Sequence, residues 1–418
     1  LSGFILSIPV FFDTVFFLLI PLARALALRT GKNYTLYVCA ICAGGAITHT
    51  MVPPTPGPLI IVENFNQASI NEVDAGKAII AGLLVGLIVH FAQTAKAGAL
   101  VLPVLRTPEG EWLQDTAHII DTLEARHPQG PVLPTTPRQR VAASLLEAWG
   151  DECWLPSAMH YRWNFQENID TLLRPEAGDN LLPWAPRRLK NLLAEKVALT
   201  PQSFLPGLGV KPPQWDTIVA WTAHYCDVLD AHFAHHPYLF GGRPSLGDFG
   251  LIGPLYAHLG RDPYPARVLI GRRPHLQAWI QRMQHPPAGG ESGDFLADDE
   301  VPDTLSPLFA SVFGEFWPML TATLEQYWAV SAEVPSGHRV PRLLGPITVP
   351  MQGQPYRLRA RSFLLWKWQR MQAVFAALSP EARAAATHWM QSVGGSDDML
   401  SCRLPVVRRS ALHIVRED

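Results

Sequence analysis

Charge is spread so unevenly along the 418 residues that one solvent cannot suit the whole chain. Only eight of the 70 charged residues precede residue 94, and the other 62 follow it. A stretch this poor in charge is typical of membrane segments, whereas the remainder has the composition of a soluble protein. We therefore expect an apolar front segment and a soluble part behind it.

The front segment contains three apolar runs that could form membrane helices: Leu1–Leu28, Tyr34–Met51 and Ala78–Ala92. The first run is long enough to span a bilayer, because about 20 helical residues cross the hydrocarbon core. Positive side chains near its end predict a cytoplasmic loop, namely Arg24, Arg29 and Lys32. If the helices insert, this orientation predicts an inner-membrane protein with its soluble part in the cytoplasm. Otherwise we expect a cytoplasmic chain.

Two polar residues of the front segment are candidates for function. Asp13 lies in VFFDTVFF, and an ionisable side chain at membrane depth is costly enough to suggest a role. His49 lies where prolines interrupt a helix, as at the binding sites of transporters. The alternative is that both side chains are only paired within a helix bundle.

Three blocks of the front segment resemble the gluconate permease family of proton-coupled organic-acid symporters: GFILSIPVFFDTVFFLLIPLARAL, GKNYTLYV and AGGAITHTMVPPTPGP. The resemblance covers about residues 1–92. It implies membrane helices, a sugar-acid substrate in the intact family, and Asp13 and His49 as transporter-type residues. Because only a minor fraction of such a transporter is present, we expect no transport by this chain alone. A fragment that complements a separate permease is the alternative.

Residues 101–128 predict a β-hairpin followed by a helix. An apolar run over Val101–Arg106 leads into a Pro- and Gly-containing turn, and Glu111–Leu113 can return as the second strand. Asp115 and Thr116 then supply side-chain oxygens that can cap a helix reaching His127.

This order of elements resembles the second half of the thioredoxin-like domain of glutathione transferases. The resemblance implies glutathione as a bound substrate, with the backbone of Leu102 before a cis Pro103 contacting its cysteinyl unit. It also implies that Asp115 and Thr116 hold the γ-glutamyl end. The alternative is that Pro103 shapes a turn and the other two residues cap a helix.

The opening strands of such a domain would precede Val101, where permease-like sequence stands instead. The residue that activates the glutathione thiol in this family belongs to that portion. The catalytic residue of this chain is therefore unknown, and we expect little or no conjugating activity.

A capping box, Ser245-Leu-Gly-Asp248, lies in GGRPSLGDFGLIGPLYAHLG. In such a box the Ser hydroxyl and the acidic side chain satisfy backbone amides at a helix start. Glutathione transferases carry this box at the start of a buried helix of their helical domain, and the surrounding sequence strengthens the resemblance. Its role is folding rather than catalysis.

The stretch EAWGDECWLPSAMHYRWNF is rich in side chains that could stack on an apolar electrophile: Trp154, His160, Tyr161 and Trp163. The resemblance implies that the second substrate lies against this helix. The alternative is that these side chains belong to the core, and that Glu147 and Asp151, one helical turn apart, are solvated.

Metal and nucleic-acid binding are disfavoured. His232 and His236 are four residues apart, but Pro237 follows and no glutamate accompanies them, so we predict no metal. The net charge of −2 provides no basic field for nucleic acid. Five scattered cysteines favour a reducing compartment over a disulfide framework.

We therefore predict a mainly α chimera in four parts. These are a transmembrane-type fragment (1–92), a partial thioredoxin-like α/β unit (95–130), an all-helical glutathione transferase C-terminal domain (131–330) and a small α+β extension (331–418). By resemblance the function is transfer of glutathione thiolate to a small electrophile. The alternatives are a transporter fragment and a non-catalytic interaction module. A membrane and a second copy of the chain are the further partners considered.

Overall fold

The computed structural model describes residues 23–25, 103–127, 131–181, 186–285, 293–410 and 413–417. Asp13, His49 and Leu102 lie outside these ranges. The chain divides into two compact units, residues 1–116 and 117–418. The second unit contains both the predicted helical domain and the predicted extension.

The hairpin of the first unit forms as predicted. Strand β1 (Val104–Arg106) and strand β2 (Trp112–Gln114) are antiparallel, with Val104 opposite Gln114. Gly110 closes the turn at φ 89°, a backbone conformation that glycine adopts without steric cost. A thioredoxin-like sheet is not shown, because among the described residues this sheet has two strands.

The described part of the second unit is mainly helical, as predicted. Its first ten α-helices are α1 (Thr116–Arg126, which begins at the last residue of the first unit), α2 (Pro137–Cys153), α3 (Leu155–Trp163), α4 (Gln166–Asn168), α5 (Arg174–Leu181), α6 (Arg187–Gln202), α7 (Trp215–Phe233), α8 (Leu246–Pro254), α9 (Pro263–Val268) and α10 (Pro274–Gln284). The later elements are α11 (Ser306–Ser311), α12 (Trp317–Ser331), β3 (Leu343–Met351), β4 (Gln354–Arg361), α13 (Phe363–Ala376), α14 (Pro380–Ser392), α15 (Asp397–Ser401), β5 (Val407–Ser410) and β6 (His413–Arg416).

Helix α2 is the central element of this unit. Thr136 precedes it and Pro137 opens it, and every residue from 141 to 150 is buried. Because α2 is buried on all sides, it needs small residues at the points where neighbouring helices cross it. Gly150 meets Gly250 of α8 so closely that a Cβ added there would lie 2.8 Å from a backbone carbonyl carbon. Helices α2 and α8 therefore cross through glycines on both sides.

Helix α7 packs one face against α2, where Trp221 and Tyr225 contact Trp149. Ile218, Trp221, Tyr225 and Leu229 are all buried. The ring centroids of Trp221 and Trp154 are 5.0 Å apart, at an edge-to-face angle of 72°. Such aromatic pairs contribute about 0.5–1.5 kcal/mol beyond the area they bury.

The predicted capping box starts α8. The Asp248 carboxylate accepts the backbone amide of Ser245 at 2.8 Å and its hydroxyl at 2.7 Å. Its other oxygen accepts the amide of Leu239 at 3.2 Å and the Trp279 indole N–H at 2.9 Å. Burial raises the pKa of Asp248, and these hydrogen bonds oppose that effect. The box thus caps α8 and also links α8 to α10.

The extension contains two antiparallel hairpins and three helices. Strands β3 and β4 form a hairpin that turns at Gln352 and Gly353, both with positive φ. The Ser379 hydroxyl accepts the amide of Ala382 and caps α14. The short strands β5 and β6 form a further hairpin that the sequence analysis did not predict.

No helix in the described ranges combines the length and the apolar character needed to cross a bilayer. This finding does not address the front segment, which lies almost wholly outside those ranges.

We expect Ser245→Ala to destabilise the chain by about 1–2 kcal/mol, because α8 loses its cap and the buried Asp248 loses a hydroxyl donor. Urea unfolding followed by tryptophan fluorescence measures the change. Ser203→Ala, at an exposed hydroxyl, is the matched control and should stay within about 0.5 kcal/mol of wild type. Equal midpoints for Ser245→Ala and wild type would contradict the role given to the box.

Candidate functional site

Three of the predicted glutathione contacts, Pro103, Asp115 and Thr116, lie together at one end of the hairpin. Val104 pairs with Gln114, so Pro103 and Asp115 are the next residues outward on the two strands. Pro103 is exposed, Asp115 and Thr116 are half-buried, and Thr116 is the first residue of α1. Asp115 has φ 81°, a backbone conformation that residues other than glycine adopt at an energetic cost. Binding of glutathione by these residues stays a prediction.

The predicted substrate-pocket residues are placed in the core. Trp154, His160 and Tyr161 are buried, and Trp163 is half-buried against the same core. Burial lowers the pKa of His160 to about 4, and its Nδ1 lies 2.9 Å from the Asn164 amide nitrogen. A neutral ring in this setting packs as an aromatic side chain. Its role in binding an electrophile stays a prediction.

Glu147 is buried and Asp151 is only partly exposed, and both form ion pairs, which corrects the alternative that these acids are solvated. Glu147 is buried, and its Oε1 lies 2.9 Å from Nζ of the buried Lys367 on α13. Asp151, one turn along, contacts the same ammonium group. Arg370 of α13 binds both oxygens of Glu147 at 3.1 Å and pairs with Asp121 of α1 at 2.7 Å. We call these five residues the α2–α13 charge cluster.

Burial raises the pKa values of the two α2 acids in this cluster, and the neighbouring positive charges lower them. For Glu147, burial raises the pKa, but the charges of Lys367 and Arg370 outweigh that effect and hold the pKa below its usual value. For Asp151, burial dominates over Lys367, and the nearby Glu147 charge adds to it, so the pKa rises to about 7. The side chain of Asp151 is 26 % exposed, so it can exchange protons with solvent. The cluster can thus take up one proton near neutral pH.

A second buried ion pair lies one residue further along α2 and lines a small cavity. Nη2 of Arg361 lies 2.9 Å from Oε2 of Glu152. Arg361 and Glu152 line this cavity, which has a volume of about 30 Å³, together with Cys153, Glu315 and Tyr356. The Arg361 Nη1 atom is buried without a hydrogen-bond partner among the described residues. A water molecule or a small acceptor group would satisfy this donor.

The cavity does not supply a nucleophile. Burial, followed by the Glu315 charge, raises the pKa of the Cys153 thiol well above its ordinary value. Only the thiolate attacks electrophiles readily. Glu315 is already held by the Trp221 indole N–H, the Ser311 hydroxyl and the Gln352 amide. These contacts position it as a structural acceptor.

The histidines that suggested a metal face are engaged elsewhere. His232 is buried, its Nδ1 lies 2.7 Å from the Thr304 hydroxyl, and its Nε2 lies 3.3 Å from the carbonyl oxygen of Tyr238. Its ring stacks on that of His236 with centroids 4.9 Å apart. Burial, then the His236 charge, lowers the pKa of His232 to about 3. Among the described residues, no group of three or more acidic, His or Cys side chains could hold a metal ion.

The front part of the chain matches a transporter family. Residues 1–127 match the model of the GntP family permeases. Over 123 residues the chain is 36 % identical to a gluconate permease of Pseudomonas aeruginosa, covering 29 % of this chain and 26 % of that protein. A gluconate permease of Zymomonas mobilis is 32 % identical over 106 residues, 25 % of this chain and 22 % of that protein. The chain spans about a quarter of these relatives.

A separate match covers the helical part. Residues 223–282 match the model of the glutathione S-transferase C-terminal domain, and this range contains the capping box, helices α8 and α9 and most of α10. No solved structure matches the chain. The two family resemblances are thus confirmed over these segments. The permease match extends past residue 92 and includes the hairpin and α1.

The proton uptake at Asp151 predicts a pH dependence of stability. An exposed aspartate releases its proton near pH 4, whereas folded Asp151 retains it to about pH 7, so the folded state binds more protons between these values. The contribution of Asp151 to stability therefore falls as pH rises from about 4 to 7. We expect Asp151→Asn to remove this fall.

Urea unfolding at pH 5 and pH 8 measures the effect, and wild type should lose stability relative to Asp151→Asn at the higher pH. The exposed Asp216→Asn serves as the control and should follow wild type at both pH values. Parallel behaviour of Asp151→Asn and wild type would show that the side chain is already ionised at pH 5.

Proposed function

We propose that the chain is a glutathione transferase-like protein that binds glutathione and has little conjugating activity. The observation that carries the proposal is the transferase C-terminal match over residues 223–282, which coincides with the capping box of Ser245 and Asp248. That box is buried and bonded to Trp279, so it is part of the domain's framework.

The end of the hairpin supports a glutathione-binding role. The proposed site consists of Pro103, Asp115 and Thr116, with the preceding Leu102 supplying backbone groups. An Asp carboxylate attracts an ammonium group, while a hydroxyl and the amides of a helix start suit a carboxylate. The γ-glutamyl end of glutathione carries both groups. The backbone next to Pro103 could pair with the peptide part of glutathione in the manner of a β-strand.

Two observations favour a low glutathione-conjugating activity. The transferase match covers residues 223–282 and is a C-terminal-domain match, whereas the thiol-activating residue of the resembled family belongs to the N-terminal part, where residues 1–127 match a permease model. The Cys153 thiol beside the cavity is held neutral by burial. Binding would lower the entropic cost of conjugation, but a group that ionises the glutathione thiol would still be needed. The proposal is therefore glutathione binding, with an electrophile as the second ligand.

We expect the purified chain to bind glutathione in titration calorimetry and to be eluted from glutathione resin by free glutathione. Thr116→Val and Asp115→Asn should each weaken binding by about tenfold or more, because each removes a hydrogen bond to a charged group. Thr387→Val, in α14, is the matched control and should bind as wild type does. Saturable binding that neither Thr116→Val nor Asp115→Asn changes would show that glutathione binds at another site. Absence of binding would contradict the proposal.

The permease match supports a second candidate, a fragment of a proton-coupled gluconate or organic-acid transporter. The matched relatives are about four times longer than the matched segment, and a pathway between transporter repeats needs both repeats. We expect the chain to partition with membranes and to give no proton-coupled gluconate uptake in cells that lack a permease. Uptake above that of cells without the gene would establish the transporter candidate instead. A purely interacting module would show neither glutathione binding nor uptake.

A further inference from the structure

Helix α6 exposes its leucines. Five of the ten large apolar side chains that are exposed among the described residues lie between residues 189 and 204: Leu189, Leu192, Val197, Leu199 and Phe204. Leu199 is 63 % exposed and Leu192 is 52 % exposed. Scattered single leucines are ordinary on a surface, but a contiguous group marks a site of interaction.

The opposite side of α6 packs against α5. Ala194 is buried, and a Cβ added to Gly178 of α5 would lie 2.8 Å from the Cβ of Lys190. Leu189 and Leu199 are each five residues from Ala194, which places each about 140° around the helix from it. The apolar face of α6 is therefore directed away from the helix that holds it.

Positive charge accompanies this apolar face. Helix α6 carries four cations and one acid: Arg187, Arg188, Lys190, Lys196 and Glu195. Arg188 and Lys196 are exposed, and Lys196 lies between Leu192 and Leu199 on the same face of the helix. A helix of 16 residues with four cations is unsuited to crossing a bilayer. A basic amphipathic helix of this kind suits the interface of a membrane.

We propose that α6 docks on the surface of an anionic phospholipid bilayer. Its leucines enter the boundary between headgroups and acyl chains, and Arg188 and Lys196 lie against lipid phosphates. Anionic headgroups attract such cations when they lie near the membrane surface. A second copy of the chain fits this face less well, because pairing two α6 faces would bring Arg188 and Lys196 of both copies together.

The front segment adds to the argument for a bilayer. Residues 1–127 match permeases, so a chain that holds its front in a membrane presents α6 to lipid at a high local concentration. A weak docking surface is then sufficient. The proposal does not depend on glutathione binding, because the two sites share no residue.

Hydrogen–deuterium exchange of the full chain tests the proposal, because peptides spanning α6 report on that helix apart from the front segment. We expect amides of residues 187–202 to exchange at least about threefold more slowly with vesicles of phosphatidylglycerol and phosphatidylcholine than with phosphatidylcholine vesicles alone. The double variant L192E/L199E should lose this protection. The variant R188E/K196E should show equal exchange with both vesicle types.

Val406→Glu, at an exposed apolar residue outside α6, is the matched control and should retain wild-type protection. The substituted leucines are exposed, so circular dichroism should show unchanged helix content in every variant. Exchange of α6 that is unaffected by anionic vesicles overturns the proposal. Protection that increases with protein concentration in the absence of lipid also overturns it, since that result identifies a second copy as the occupant.

Discussion

A lysine buried against two carboxylates determines how the second unit is assembled. Lys367 and Glu147 are 3 % and 4 % exposed, and taking either charge out of water alone costs several kcal/mol. The ammonium group and the carboxylate must therefore meet whenever both elements are buried. Glu147 lies in the middle of α2 and Lys367 on α13, so this requirement fixes α13 against the central helix. Removing one partner of such a pair typically costs about 3–5 kcal/mol, because the other charge is left uncompensated.

This constraint explains why the extension belongs to the same compact unit as the helical domain. Glu152 provides a second tie, since it pairs with Arg361 at the end of β4. The hairpin β3–β4 and the helix α13 are consecutive, and each is held by an acid of the same stretch of α2. If only apolar packing held them, the position of the hairpin and of α13 along α2 would be set by side-chain shape alone. Paired charges of opposite sign add a preference for one register.

Local signals made much of the fold predictable. Pro137, Ser379 and Gly353 act within one turn of their own position, so the sequence is enough to place a helix start, a cap and a hairpin turn. The charge cluster could not be placed in this way, because Glu147 and Lys367 are 220 residues apart in sequence. Their spacings were nevertheless a signal: two acids four apart on α2 match two cations three apart on α13.

The aromatic stretch of α3 shows a different limit. Trp154, His160 and Tyr161 have the residue types of a ligand pocket and also those of a core, and sequence spacing is the same for both. What separates the two roles is which elements cover the side chains, and that depends on α7 and the loops around it. The terminal strands β5 and β6 were missed for another reason. The two residues between them, Ala411 and Leu412, are not turn-forming types, so the sequence carries no hairpin signal there.

The ancestry of the hairpin does not decide its chemistry. A two-stranded hairpin followed by a helix is local structure that either family match could contain, and the permease match includes it. The backbone at Asp115 is more informative. A residue with φ 81° that served only as a turn would be best as glycine, which adopts this conformation without cost. An aspartate there costs about 1 kcal/mol more, and what it adds is a carboxylate at a helix start. A helix N-terminus favours a carboxylate through its own partial positive charge, so capping of α1 is sufficient to account for the aspartate.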